Sequence, residues 1–270
     1  MSRLSGCFEN RKLKGETALI VYLVAGDPDR KTTVPLMHAM VSAGADIIEL
    51  GVPFTDPEAD GPVIQTAVER ALGQGMNLSG VLEIVSEFRI DDSQTPVLLM
   101  GYVNPIEVMG YAEFSARASK SGVDGTILVN LPPEEAEILN SELASVDIDP
   151  VYLLAPTTTE ARARKICAAS RGFVYYVSLK GITGAASLDV GDVRDRLEVF
   201  SQLTDLPIAV GFGIKDGETA AAVAALSDGV VVGSALVKLI GEHGASLKDI
   251  TANVTRLVAE MRQEMDEAAA

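Results

Sequence analysis

Glu49 stands inside an otherwise apolar run, 46–50 (DIIEL). A carboxylate there either faces a polar opening or carries a large desolvation cost, and a lone acid in a buried strand is rarely structural. The segment that follows, 51–62, holds Asp56, Glu58 and Asp60 among Pro53, Pro57 and Pro62. Two carboxyl groups in different surroundings can divide acid and base roles between them. The plain alternative for Asp60 is a solvated turn in which it caps a helix beginning at Pro62. Two glycine turns suggest a second chemistry. Gly211-Phe212-Gly213-Ile214 and Gly233-Ser234-Ala235 would let backbone N–H groups approach an anion. A short helix over 235–240 would add the partial positive charge of its N-terminus. Lys180-Gly181-Ile182-Thr183-Gly184 brings further glycine, with tight turns as the alternative for all three segments.

Other chemistries find little support. The segment 211–217 (GFGIKDG) misses the dinucleotide-binding spacing by one residue, and there is neither a P-loop nor a Gly-x-Ser-x-Gly elbow. His38 and His243 lie far apart, and each is expected on a helix surface. Cys7 and Cys167 make no disulfide framework; they suggest a reducing compartment and read as buried thiols.

These groups need a scaffold, and eight short apolar runs provide one. They span 18–24, 46–50, 96–101, 125–129, 150–154, 173–177, 207–211 and 229–233. The runs are nearly continuous rather than alternating, as strands buried on both faces are. Between them lie segments of helical period. Leu78, Val81, Leu82 and Val85 share one face; so do Leu247, Ile250, Val254, Leu257, Met261 and Met265, behind a start at Ser246 and Asp249. Strand and helix alternating eight times in 270 residues predict a (β/α)8 barrel, an α/β fold, as a single domain over 1–270 with a short N-terminal helical segment before the first strand. A doubly wound open sheet is the competitor. The barrel would place Glu49, the 51–62 loop and the glycine turns at one rim, the C-terminal ends of the strands. Lys and Arg number 22 against 38 Asp and Glu, a net charge of −16, which argues against nucleic acid or an anionic membrane as partner. No apolar run approaches the ~20 residues of a bilayer span, and the polar N-terminus lacks a signal-peptide core, so a cytoplasmic location is expected. From the residues alone, the chain reads as a barrel that binds a phosphorylated metabolite and moves protons with carboxylates.

The run 48–62 (IELGVPFTDPEADGP) resembles the signature of the tryptophan synthase α-subunit family. The resemblance continues in order through 25–28 (AGDP), 100–105 (MGYVNP), 131–135 (LPPEE), 155–159 (APTTT), 172–178, 181–185, 211–214 and 233–238. It implies a (β/α)8 lyase that cleaves indole-3-glycerol phosphate to indole and glyceraldehyde 3-phosphate. The indole would pass to a β subunit in an αββα complex. Pyridoxal phosphate would belong to that partner, leaving this chain without a cofactor. It also implies Glu49 and Asp60 as catalytic acids, and an indole pocket of Tyr22, Met100, Ile127, Leu153, Tyr175 and Phe212. Gly184, Gly213, Gly233 and Ser234 would hold the phosphate, Thr183 would act in loop closure, and Asp56 would contact the β subunit. Core packing is the alternative for Ile127 and Leu153. Glu58, Asn130, Leu179 and Val21 depart from the usual pattern, and Glu58 should raise the pKa of Asp60 if both face one cavity. A free-standing lyase that releases indole is the other reading of the same residues, and a non-catalytic homologue that only activates β is a third.

Overall fold

The computed structural model describes residues 2–178, 190–211, 213–242 and 246–269. The first half of the chain runs α1 (Arg3–Lys14), β1 (Ala18–Val24), α2 (Arg30–Ser42), β2 (Ile47–Gly51), α3 (Pro62–Gly73), α4 (Leu78–Asp91), β3 (Val97–Gly101), α5 (Val103–Met109), α6 (Tyr111–Ser121), β4 (Gly125–Leu128) and α7 (Glu137–Ala144). It continues through β5 (Asp149–Val151), β6 (Leu153–Leu154), α8 (Glu160–Ala169), β7 (Val174–Val177), α9 (Val190–Ser201), β8 (Ile208–Gly211), α10 (Gly217–Ala224), β9 (Gly229–Val232), α11 (Ser234–Glu242) and α12 (Leu247–Ala269).

All strand pairs are parallel, in the order β5-β4-β3-β2-β1-β9-β8-β7-β6. The two ends of that order, β5 and β6, are consecutive in the chain and separated by Tyr152 alone. They are halves of one stave: β5 pairs with β4, β6 pairs with β7, and the Tyr152 carbonyl accepts from Tyr175 N–H at 3.1 Å. The sheet therefore curls into the expected eight-stave barrel, with the fifth stave broken where the sequence predicts one continuous strand.

Two packed layers result. Outward residues of the strands meet the surrounding helices. Inward residues, including Ile20, Ile47, Leu98, Ile127, Val151, Ala209 and Val231, fill the barrel. Leu4 and Phe8 of α1 close its N-terminal end, with the Phe8 and Phe173 rings 5.3 Å apart. The interior is thus a packed plug below and a polar mouth above. Pro62 opens α3, and Gly44 takes φ 113° just after α2, as the sequence suggests. His38 departs from expectation: it lies half-buried against the Phe88 ring at 4.6 Å, with Nε2 inaccessible and without a hydrogen-bond partner among the described residues. An imidazole facing α4 gains more from that ring than from solvent. No helix among the described residues is long and apolar enough to cross a membrane.

Candidate active site

Strand register brings the mouth together. Tyr22 of β1 pairs with Glu49 of β2, and Glu49 pairs with Leu98 of β3. All three are inward positions of neighbouring staves. Glu49 is 3% exposed, and its Oε2 has no hydrogen-bond partner among the described residues. Burial, followed by the negative charge of Asp60, raises its pKa from the ordinary 4.5 to about 8. The group is protonated at neutral pH, the state a proton donor requires.

Asp60 sits half-buried in the loop between β2 and α3. The cap of α3 is Gly61, with no side-chain cap bond, so Asp60 does not serve as the helix cap. Its main chain is held instead: N–H donates to the Pro57 carbonyl at 3.1 Å, and the carbonyl accepts from Gln65 Nε2 at 2.9 Å. Its carboxylate accepts from the Tyr102 hydroxyl at 3.2 Å. Burial raises the Asp60 pKa from 3.8 to about 6, with the Tyr102 bond opposing the rise. Asp60 therefore ionises first, and its charge helps Glu49 keep its proton. One mouth thus holds an acid and a carboxylate at the same pH, the division of labour that acid–base catalysis uses.

Two tyrosines flank the pair. Burial, then Asp60, then Glu49 raise the pKa of Tyr22, and burial followed by Glu49 raises that of Tyr175. Each hydroxyl lies over a glycine: a methyl at Gly51 would overlap the Tyr22 hydroxyl, and one at Gly211 the Tyr175 hydroxyl. Met100 and Leu153 remain partly accessible at the rim, whereas Ile127 is buried among the interior side chains. On the same rim, after β8 and β9, Gly213 takes φ 76°, and the Gly233 carbonyl accepts from Leu236 and Val237 N–H as α11 begins at Ser234. Asp56 is exposed and accepts from Thr55 Oγ1 at 2.6 Å. Thr183, Gly184 and Phe212, like Leu179, Lys180 and His243, lie outside the described residues.

The departures resolve as follows. Glu58 is exposed; burial, not its charge, raises Asp60, and Glu58 acts on Tyr102 instead. Asn130 keeps the hydrogen bonding expected of it: Oδ1 accepts from Val103 N–H at 2.8 Å, and Nδ2 donates to Asn104 Oδ1 at 3.0 Å. Val21 is fully buried in the outward layer. Cys167 is buried, and Cys7 is half-buried with its thiol pushed up to about 12, chiefly by burial. Sequence reasoning gave no role to Tyr102, although it falls within one of the resembling blocks. It also missed the clamp on Asp27, which is wholly buried after β1 and held by Arg70 of α3 through Nε–Oδ1 at 2.7 Å and Nη2–Oδ2 at 2.9 Å. The signal available for both was their place at the ends of strands.

Fold and site together define a (β/α)8 barrel with a buried acid and a carboxylate at its C-terminal mouth, the arrangement of an acid–base enzyme. A family profile described as "Tryptophan synthase alpha chain" matches residues 8–269. A relative of that name from Thioalkalivibrio sulfidiphilus is 56% identical over 266 residues, 98% of this chain and 100% of its own. Another, from Marinobacter nauticus, is 53% identical over 269 residues, 100% of each chain. Among solved structures, tryptophan synthase subunit alpha from Legionella pneumophila superposes with a TM-score of 0.92 at 42% identity, covering 99% of both chains. The chain belongs to the tryptophan synthase alpha chain family, enzyme subunits of the lyase class whose role is the cleavage of indole-3-glycerol phosphate.

Proposed function

We propose that Glu49 and Asp60 carry out this cleavage. The bond between indole C3 and the glycerol chain breaks once C3 is protonated and the adjacent glycerol hydroxyl gives up its proton. Glu49, neutral up to about pH 8, donates to C3, and its carboxylate then accepts the hydroxyl proton as the bond electrons return to the ring. The net change is one C–C bond and one O–H bond broken, one C–H bond formed and one C–O single bond turned into C=O. Asp60, ionised above about pH 6, stabilises the cationic ring from beside the indole N–H. The single observation that carries this reading is the opposed ionisation of two carboxyl groups in one buried mouth.

In the same reading, Tyr22, Met100, Ile127, Leu153, Tyr175 and Phe212 surround the indole. Backbone N–H groups at Gly184, Gly213, Gly233 and Ser234 hold the phosphate, and Thr183 closes above Asp60. The start of α11 at Ser234, directly after Gly233, supports the phosphate assignment, because the N-terminus of a helix favours an anion. Indole passes to a β subunit that carries the pyridoxal phosphate, and the pair works in the cytoplasm as an αββα assembly. The exposed loop around Asp56, beside the mouth, is where such a partner would dock. The test is indole release from indole-3-glycerol phosphate, with and without β subunit, for the wild type and Glu49→Gln. Glu49→Gln should lose at least about a thousandfold in kcat while retaining its fold and its co-elution with β. Turnover near wild type would overturn the role of Glu49; failure to co-elute would leave the free-standing lyase.

A further inference from the structure

Tyr102 follows β3 directly and is 4% exposed. Its ring lies 5.3 Å from that of Phe54, inclined by 34°. Its hydroxyl accepts from Ala59 N–H at 2.9 Å and stands 3.2 Å from Asp60 Oδ2. One phenol thus touches the β2–α3 loop at Phe54, Ala59 and Asp60. A backbone N–H can only donate, so the bond from Ala59 leaves the phenol proton free to point at the carboxylate. The main chain next to Tyr102 is itself held, because Asn130, in the loop after β4, accepts from Val103 N–H and donates to Asn104. Hydrogen bonds therefore hold both the main chain beside Tyr102 and its hydroxyl, and the Tyr102 side chain links the β4 loop to Asp60.

We propose that Tyr102 is a positioning residue for Asp60: its hydroxyl holds the carboxylate in one place and favours its ionised form, and Asn130 fixes the backbone that carries the phenol. The proposal rests on the reading in which Asp60 acts as a carboxylate. A hydrogen bond donated to the charged form opposes the upward push of burial. The bond accepted from Ala59 polarises the O–H and makes it a better donor. The other titratable groups near Asp60 bring no charge that would set its ionisation in place of this bond. Glu49, from β2, keeps its proton to about pH 8 and so stays neutral while Asp60 titrates near 6; Tyr22, from β1, is a phenol raised above its ordinary range. Glu58, in the same loop, is exposed, and its charge bears on Tyr102.

Tyr102→Phe removes the hydroxyl and keeps the ring against Phe54. Two measurements on the full chain test it. The first is a carbon-13 NMR titration of protein labelled at the aspartate carboxyl carbon, with the Asp60 signal identified by its loss in Asp60→Asn. The second is kcat/KM against pH for indole release, whose acid limb belongs to Asp60 and basic limb to Glu49. The expected result is an Asp60 midpoint higher by about one pH unit, with the acid limb following and the basic limb in place. Activity would then fall about fivefold at pH 6 and less than about twofold at pH 7.5. An unchanged midpoint, or two limbs that move together, would overturn the proposal. The NMR midpoint decides for Tyr102 whatever Asp60 does in catalysis, whereas full indole release by Asp60→Asn would sink the role of Asp60 alone.

Discussion

Glu49 joins two demands that oppose each other, a buried position and an ionisable group. Its pKa of about 8 lies above the ordinary 4.5, so between those values the unfolded chain has lost a proton that the folded chain retains. Stability from this group is complete below about pH 4.5 and is lost progressively as pH rises through 8. At pH 7 the loss is on the order of 3 kcal/mol, from about 1.4 kcal/mol for each pH unit. Glu49→Gln is neutral at every pH and escapes it. Urea unfolding should show the variant close to wild type at pH 5 and more stable by roughly 2–4 kcal/mol at pH 7.5. A difference that does not change with pH would refute a raised pKa. Glu49 could be singled out in the sequence because a lone acid among Ile47, Ile48 and Leu50 has few structural uses. Tyr102 could not, because its partner in Asp60 is 42 residues away and an aromatic beside a strand reads as core.

Secondary structure separates two ends of the barrel by function. At the N-terminal end, one device recurs three times. Asp46, Asp124 and Asp228 each precede a strand, β2, β4 and β9. Each N–H donates to the carbonyl of a residue on a neighbouring stave, Leu19, Val97 or Ile208, and each carboxylate accepts that same residue's N–H at 2.7–2.8 Å. Asp124 also takes Arg89 of α4 and Arg3 of α1, both at 2.7 Å; Asp46 takes Arg11 of α1 and Arg262 of α12. These pairs fasten the α1 plug and two outer helices to the strand ends. Asp124→Ala would leave Arg89 and the Val97 N–H without their buried partner, at a cost of about 3–5 kcal/mol. Urea unfolding should show that loss, while kcat of the folded enzyme stays within about twofold of wild type, since the mouth lies at the other end. A tenfold fall in kcat with little loss of stability would contradict the division. The staves themselves were legible, because strands buried on both faces leave continuous apolar runs. The break at Tyr152 was not, since Pro-Val-Tyr-Leu-Leu is apolar throughout and only the change of pairing partner, from β4 to β7, marks it. The aspartate device was hidden for another reason: its arginines come from as far as 121 and 216 residues away.

Across the whole molecule, a net charge of −16 meets a substrate that carries a phosphate. The proposed phosphate contacts are backbone N–H groups at glycine turns and at the start of α11, which bind an anion at short range without any formal positive charge. Lys238, on α11, is turned to Glu242 at 3.7 Å. Approach and seating should therefore respond differently to salt. During approach the phosphate meets the protein's summed negative field, which extends about 30 Å at 0.01 M ionic strength and about 8 Å at 0.15 M. Once seated, it is held by contacts too short to be screened. Raising the ionic strength from 0.01 to 0.15 M should then increase kcat/KM for indole-3-glycerol phosphate roughly two- to threefold, through KM, with kcat nearly constant. The uncharged analogue lacking the phosphate should show no such gain. A fall with salt would mean that basic side chains draw the phosphate in, and the backbone account of its binding would have to give way to one in which lysines at the rim do that work.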